Sequence, residues 1–134
     1  MALGSKGIKP SRIYTSLGSS AWIALVSERP VLDFGKKPYV FAHVVKGMYT
    51  SATCIFSAGS SLQWVRNIVC PDLLAIEEQG GDNAYIGMNK LAETSTPGAN
   101  GLLFNPSLAG GSSIEPSPDM TGAFMGLRLG NTRA

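Results

Sequence analysis

At Ser57 the hydrophobic pattern of this chain changes period, and that change limits its folds more than any other feature. Before it lie four runs rich in β-branched and aromatic residues: Arg12 to Leu17, Ala21 to Ser27, Tyr39 to Val45 and Met48 to Ser57. After it, Leu62, Val65, Ile68 and Val69 recur at helical spacing. The first half is therefore expected to form an antiparallel β-meander, opened by a hairpin whose turn is Gly18-Ser19-Ser20. The Pro- and Gly-bearing stretch Ser27 to Pro38 reads as a loop. A helix is expected to start at Ser57 or at Gly59-Ser60, with Pro71 ending it or starting a second. "PDLLAIEEQ" and "NAYIGMNKLAE" read as two short helices, "TPGANG" as a turn and "GLLF" as a short buried strand. The expected fold class is thus α+β or α/β, a meander followed by helices and a short strand.

Composition narrows the function classes. The 134 residues suit one domain, and 44% hydrophobic with 15% charged residues marks a globular chain rather than a disordered one. A net charge of +2 gives no reason to expect a nucleic-acid partner or a membrane surface. No apolar run approaches the roughly 20 residues of a bilayer span. "MALGSKGIKP" lacks the apolar core of a secretory signal, so a cytoplasmic location is expected. Cys54 and Cys70 sit in apolar surroundings without metal spacing and read as buried thiols. His43 is the only histidine and has no nearby Cys or carboxylate, so it reads as structural. Trp22 and Trp64 read as core anchors.

Two small-residue turns stand out as places for chemistry. One is Gly18-Ser19-Ser20, between two strands. The other is Ala58-Gly59-Ser60-Ser61, at the strand-to-helix junction. The second is the better anion site by electrostatics, since a helix N-terminus offers free N–H donors and the positive end of its dipole. Neither is a Walker A loop. Glu77 and Glu78 are adjacent and point in different directions on a helix. Glu115 and Asp119 fall in a long irregular segment, Asn105 to Thr121, which a compact domain keeps only for function or for packing on something else. No residue reads as a general base. The last residues, "GNTRA", read as a helix cap at Asn131 or Thr132 with no helix after it, which is the pattern of a cut chain.

Taken in order, these pieces resemble the FGGY carbohydrate kinases, the xylulokinase-like branch in particular, collinearly over nearly the whole chain. "GIKPSRIYTSLGSSAWIAL" is similar to the family's second phosphate motif, G-T-S or G-T-G between the first two strands of the C-terminal domain. "IFSAGSSLQWVRN" is similar to its S-A-G-x-x-x-x-W-x-R segment, "GLLFNPSL" to its G-L-x-F-x-P-x-L, and "GAFMGLRLGNTRA" to the opening of its C-terminal signature. The resemblance implies a partial ribonuclease H-like, actin-type ATPase domain. Residues 1–134 would be the first part of its C-terminal, nucleotide-side half. The N-terminal sugar domain and the adenine-binding segment would lie outside the chain.

The resemblance also implies site residues and cofactors. Gly18 and Ser19 match the phosphate motif, with Ser20 beside them and Ser19 standing where Thr is usual. Gly59 matches the helix-start glycine that approaches the nucleotide, and Gln63 a nucleotide-contacting glutamine of the glycerol kinase branch. The implied function is ATP-dependent phosphorylation of a sugar hydroxyl, of xylulose or a related pentulose, with ATP and Mg2+ as cofactors. The implied partners are the sugar and ATP, with no nucleic acid, no membrane, and homo-oligomerisation left open. No catalytic or metal residue is assigned, because the family's catalytic Asp would precede Met1, and the chain alone is expected to be inactive. Gly110-Gly111-Ser112-Ser113-Ile114 departs from the family's G-E-R-x-P, which points away from xylulose itself. Two other readings of the residues stay open: a stand-alone binding or structural module that associates with a partner, and a small all-β ligand-binding domain.

Overall fold

The computed structural model describes all 134 residues. Strands β1 (Ile13–Leu17), β2 (Ala21–Ser27), β3 (Tyr39–Ala42) and β4 (Tyr49–Ile55) form one antiparallel sheet. Helices α1 (Gly59–Ile68), α2 (Pro71–Glu78) and α3 (Ala84–Glu93) follow. A one-turn 3-10 helix at Ala99–Gly101 leads into a two-stranded ribbon of β5 (Leu103–Asn105) and β6 (Ala123–Met125). The expected change from strand to helix falls where the pattern changes, and helices after Ser57 exclude the all-β alternative.

The sheet order is β1-β2-β4-β3, so the up-and-down core is β1, β2 and β4 alone. β3 pairs only with the outer edge of β4, at the end of the 28–38 excursion. β4 carries small side chains, Ser51, Ala52 and Cys54, which fill an interior position with neighbours on both sides. β3 carries Val40 and Phe41, which stay largely exposed on an edge. The excursion is held down at two points. Val31 N–H donates to Ser51 Oγ at 3.0 Å, and Asp33 accepts the Gly35 and Lys36 N–H groups at 2.8 and 2.9 Å. β3 stops at Ala42, short of Val45, because the chain turns at His43, whose N–H reaches the Met48 carbonyl.

One face of the sheet is buried and the other open. Ala24, Val26, Thr50, Ala52 and Cys54 share the buried face by register. On the opposite face Ile13, Leu17 and Ile23 are 66%, 80% and 58% exposed. The core is correspondingly small: Val26 is the largest fully buried apolar side chain. The helices repeat this. Leu62 and Ile68 of α1 are exposed, and so is Trp64, which is not a core anchor here. Trp22 is half-buried against the rings of Tyr39 and Phe41, about 6 Å away. The "GLLF" strand also differs from expectation: Leu103 is exposed, and the pairing is secured by Phe104 stacked on Phe124 at 4.6 Å.

Local chemistry explains each helix end. Pro71 sits in the first turn of α2, where its missing N–H costs nothing. Asn83 caps α3 by accepting Tyr85 N–H, and the Glu77 carboxylate accepts Asn83 Nδ2–H and Ala84 N–H at 2.8 and 2.9 Å. Arg66 of α1 lies over the Tyr85 ring of α3, 5.1 Å from its centre. Asn131 caps no helix; its Oδ1 turns back to accept Arg128 N–H. Arg133 instead forms a two-point ion pair with Asp72 at the start of α2. His43 is buried and fully bonded, Nε2 to the Gly7 carbonyl at 2.9 Å and Nδ1 to Val45 N–H at 3.0 Å. Both cysteines are buried and free.

The long segment 105–121 is folded, with Glu115 as its anchor. The carboxylate accepts Ser107 Oγ–H at 2.7 Å and Ser112 N–H. Ser107 also reaches Asn105 Oδ1 at 2.9 Å. Gly111 is required here, because a Cβ would overlap the Ser117 carbonyl. The Ser112 N–H, and next the Ser107 hydroxyl, hold the Glu115 carboxyl below the usual glutamate range. A depressed folded-state pKa stabilises the fold above the unfolded value and loses that effect as pH falls through the folded one. Glu115→Gln is therefore expected to destabilise the chain at pH 7 by about 1 kcal/mol, allowing for partial solvent exposure. Urea melts should show the gap to wild type closing as pH drops below about 4; a gap independent of pH would refute this.

Candidate functional site

The two small-residue turns, 40 residues apart in sequence by position of Ser19 and Gly59, meet in space. Leu17 pairs with Ala21, leaving Gly18, Ser19 and Ser20 as a three-residue hairpin tip. The tip lies against the start of α1. Gly59 N–H donates to the Gly18 carbonyl at 2.9 Å. Ala58 N–H and Ser60 N–H donate to the Ser19 carbonyl at 2.7 and 3.2 Å, and the Ser60 hydroxyl joins them at 2.8 Å. Ser61 and Leu62 N–H turn inward to the Ala58 carbonyl.

This corrects the electrostatic expectation for the helix start. A helix leaves its first N–H groups without intrahelical partners. Here the hairpin carbonyls take them, so α1 offers an anion no open donor from its first turn. Gly59 is explained by the same contact. A Cβ on it would lie 2.6 Å from the Gly18 oxygen, so only glycine lets helix and hairpin come this close. Ser61, one turn along, is buried and links the junction to the 105–121 segment: its hydroxyl meets Ser57 Oγ at 2.7 Å and the Pro106 carbonyl at 2.9 Å.

The open donors are on the hairpin instead. The N–H groups of Ser19 and Ser20 and the Ser19 hydroxyl have no partner within the chain. Ser20 Oγ accepts the Trp22 indole N–H at 3.2 Å, which leaves its own proton free to donate. Gln63 is exposed and unbonded, one helical turn after Gly59. Gly18, Ser19, Ser20 and Gly59 are thus in contact, with Gln63 four residues further along α1. Two N–H groups and two hydroxyls on one tight turn make an arrangement suited to phosphate oxygens. Ser60, part of the helix-start turn that the sequence marks, serves here to hold the Ser19 carbonyl rather than to offer an open donor.

The carboxylates are spoken for elsewhere. Asp33, Glu77 and Glu115 hold backbone N–H groups, while Asp72 and Asp82 pair with Arg133 and Lys90. Glu28, Glu78, Glu93 and Asp119 are exposed. The Asp72 carboxyl is held below the usual range, first by the Arg133 side chain. No group of three or more His, Cys, Asp or Glu side chains gathers with metal-ligating geometry. No helix is long and apolar enough to cross a membrane.

No family model matches the chain. Gluconokinase from Bacillus licheniformis is 28% identical over 131 residues, covering 98% of this chain and 25% of that protein. Xylulose kinase from Staphylococcus epidermidis is 27% identical over 133 residues, covering 99% and 25%. Among solved structures, xylulose kinase from Rhodospirillum rubrum superposes with a TM-score of 0.78 at 26% identity, over 98% of this chain and 24% of that one. Xylulose kinase from Bifidobacterium adolescentis superposes at 0.72 with 31% identity, over 98% and 23%. The resemblance to FGGY carbohydrate kinases is borne out, and so is the fold class, a partial α+β domain of the actin-like ATPase type. The chain spans about a quarter of the length of the curated relatives it matches.

Gly59→Ala should force α1 away from the hairpin and cost about 1–3 kcal/mol of stability. Hydrogen exchange at the Ala58 and Ser60 amides should rise with it. Unchanged protection at those amides would show that the contact is looser than the geometry states.

Proposed function

We propose that this chain forms the nucleotide-phosphate face of an FGGY-type sugar kinase, within the first part of the C-terminal domain. The observation that carries this is the hairpin tip: the unpartnered donors of Ser19 and Ser20, fixed against Gly59 at the place where the family resemblance puts a phosphate motif. The relatives support the class of reaction by their names, gluconokinase and xylulose kinase. The reaction proposed is transfer of the γ-phosphoryl group of ATP to a sugar hydroxyl, with a pentulose related to xylulose as the candidate acceptor.

In this role Ser19 and Ser20 donate N–H and O–H to phosphate oxygens, the Gly18 carbonyl anchors the turn to Gly59 N–H, and Gly59 leaves room for that approach. Gln63 would reach the nucleotide from the next turn of α1. Phosphoryl transfer asks mainly for such positioning and charge stabilisation. ATP supplies the phosphoryl group when bound. Mg2+ would ride on the nucleotide phosphates and water, since no cluster of ligands gathers in this chain. All nine carboxylates are paired with backbone, paired with cations or exposed away from any enclosed site, so none is assigned as base. The chain by itself is expected to bind phosphate and not to turn over.

Trp22 is a built-in reporter, because its indole N–H rests on Ser20 Oγ. Titration with Mg-ATP should shift the Trp22 indole resonance and the Ser19 and Ser20 amides, and leave the Trp64 indole in place. Absence of any shift at the hairpin would overturn the assignment. ATP-dependent phosphorylation of a pentulose by the 134-residue chain alone would overturn the expected inactivity. A second reading, an interaction module that docks on a partner, is favoured by the exposed Ile13, Leu17 and Ile23. A monomer with cooperative melting in sedimentation and calorimetry, and no response to Mg-ATP, would support it instead.

A further inference from the structure

The peptide groups at the hairpin tip are tied on one side and open on the other. The Gly18 carbonyl accepts one N–H from α1, and the Ser19 carbonyl accepts three donors, two of them from Ser60. Each carbonyl is conjugated through its planar amide to the next N–H: that of Gly18 to Ser19 N–H, that of Ser19 to Ser20 N–H. Those two N–H groups are the ones without partners. Hydrogen bonds in series polarise one another, and a carbonyl drawn toward donors leaves its own N–H more positive. The positive end of α1 adds a field of the same sign.

We infer that the hairpin relays the N-terminal charge of α1 to the Ser19 and Ser20 N–H groups, and that Ser60 is the positioning residue of this relay. Its hydroxyl and N–H together hold the Ser19 carbonyl, which orients the Ser19–Ser20 peptide and strengthens Ser20 N–H as a donor to a phosphate oxygen. Ser60 itself touches no ligand. This rests on the phosphate reading above and moves the anion contact from the helix start, whose donors are consumed, to the turn that consumes them. The arrangement has a physical advantage. The first turn of α1 stays hydrogen-bonded whether or not a ligand is present, so no buried donor is left bare when the ligand departs.

The test uses the isotopically labelled chain with Ser60→Ala and Ser60→Thr, titrated with inorganic tripolyphosphate. Without ligand, Ser60→Ala should move the Ser20 amide proton upfield and leave the amides of α3 in place; Ser60→Thr, which keeps the hydroxyl, should restore it. Tripolyphosphate affinity should fall in Ser60→Ala by about twofold, less than the loss of a direct hydrogen bond would give because Ser60 acts only through the polarised peptide, and recover in Ser60→Thr. If Ser60→Ala loses its fold, Ser60→Val against Ser60→Thr repeats the comparison with equal shape. An unchanged Ser20 amide and unchanged affinity in the variant lacking the hydroxyl would overturn the relay while wild-type binding still upholds the phosphate reading. A wild-type chain whose Ser19 and Ser20 amides ignore tripolyphosphate would overturn both.

Discussion

The junction of hairpin and helix depends on one contact, the approach of the α1 N-terminus to the carbonyls of Gly18 and Ser19. It joins the strand half of the chain to the helical half. It satisfies the first-turn N–H groups of α1 that would otherwise need water or a ligand. It also explains Gly59, where a Cβ would lie 2.6 Å from the Gly18 oxygen. Through Ser61 the same junction reaches Pro106, so the 105–121 segment is fastened to the point where sheet and helices meet.

Polar contacts carry much of this fold because its apolar core is small. Val26 and a few small side chains are buried, while Leu62, Ile68, Ile13 and Leu17 remain open to solvent. Ser57, Ser61 and Ser107 take up positions that a larger core would give to aliphatic residues. Each such bond contributes modestly, about 1 kcal/mol, but leaving any of these groups unpaired in the interior would cost more. The segment that looked structureless is ordered in good part by the Glu115 carboxylate with the Ser107 and Ser61 hydroxyls, while the Ser112 and Ser113 hydroxyls are buried without partners.

Periodicity located the elements well where it was long and regular. The strand-to-helix change at Ser57, the two short helices and the hairpin at Gly18 were all legible, since each follows from local sterics and side-chain spacing. Burial was not legible. Leu62, Ile68 and Trp64 have the spacing of a core face, yet spacing says which residues share a side and not whether anything covers it. Sheet order was not legible either, because β3 and β4 are neighbours in sequence and in space under both orders. The seven-residue β4 matches β2 along its whole length, whereas the four-residue β3 pairs only along part of β4, at the edge.

The candidate site divides in the same way. The residues themselves determined that two Gly/Ser turns existed, one in a hairpin and one at a helix start, and the order of motifs around them carried the likeness to sugar kinases. That follows from local chemistry: small residues permit tight turns, and a change of hydrophobic period marks a change of element. Only the tertiary structure decided that the two turns touch. By touching, they exchange roles. The helix start spends its donors on the hairpin, and the hairpin keeps two N–H groups free. No local pattern encodes which of two donor sets is left open, because that is settled by bonds between the Gly18 and Ser19 carbonyls and the distant residues Ala58, Gly59 and Ser60.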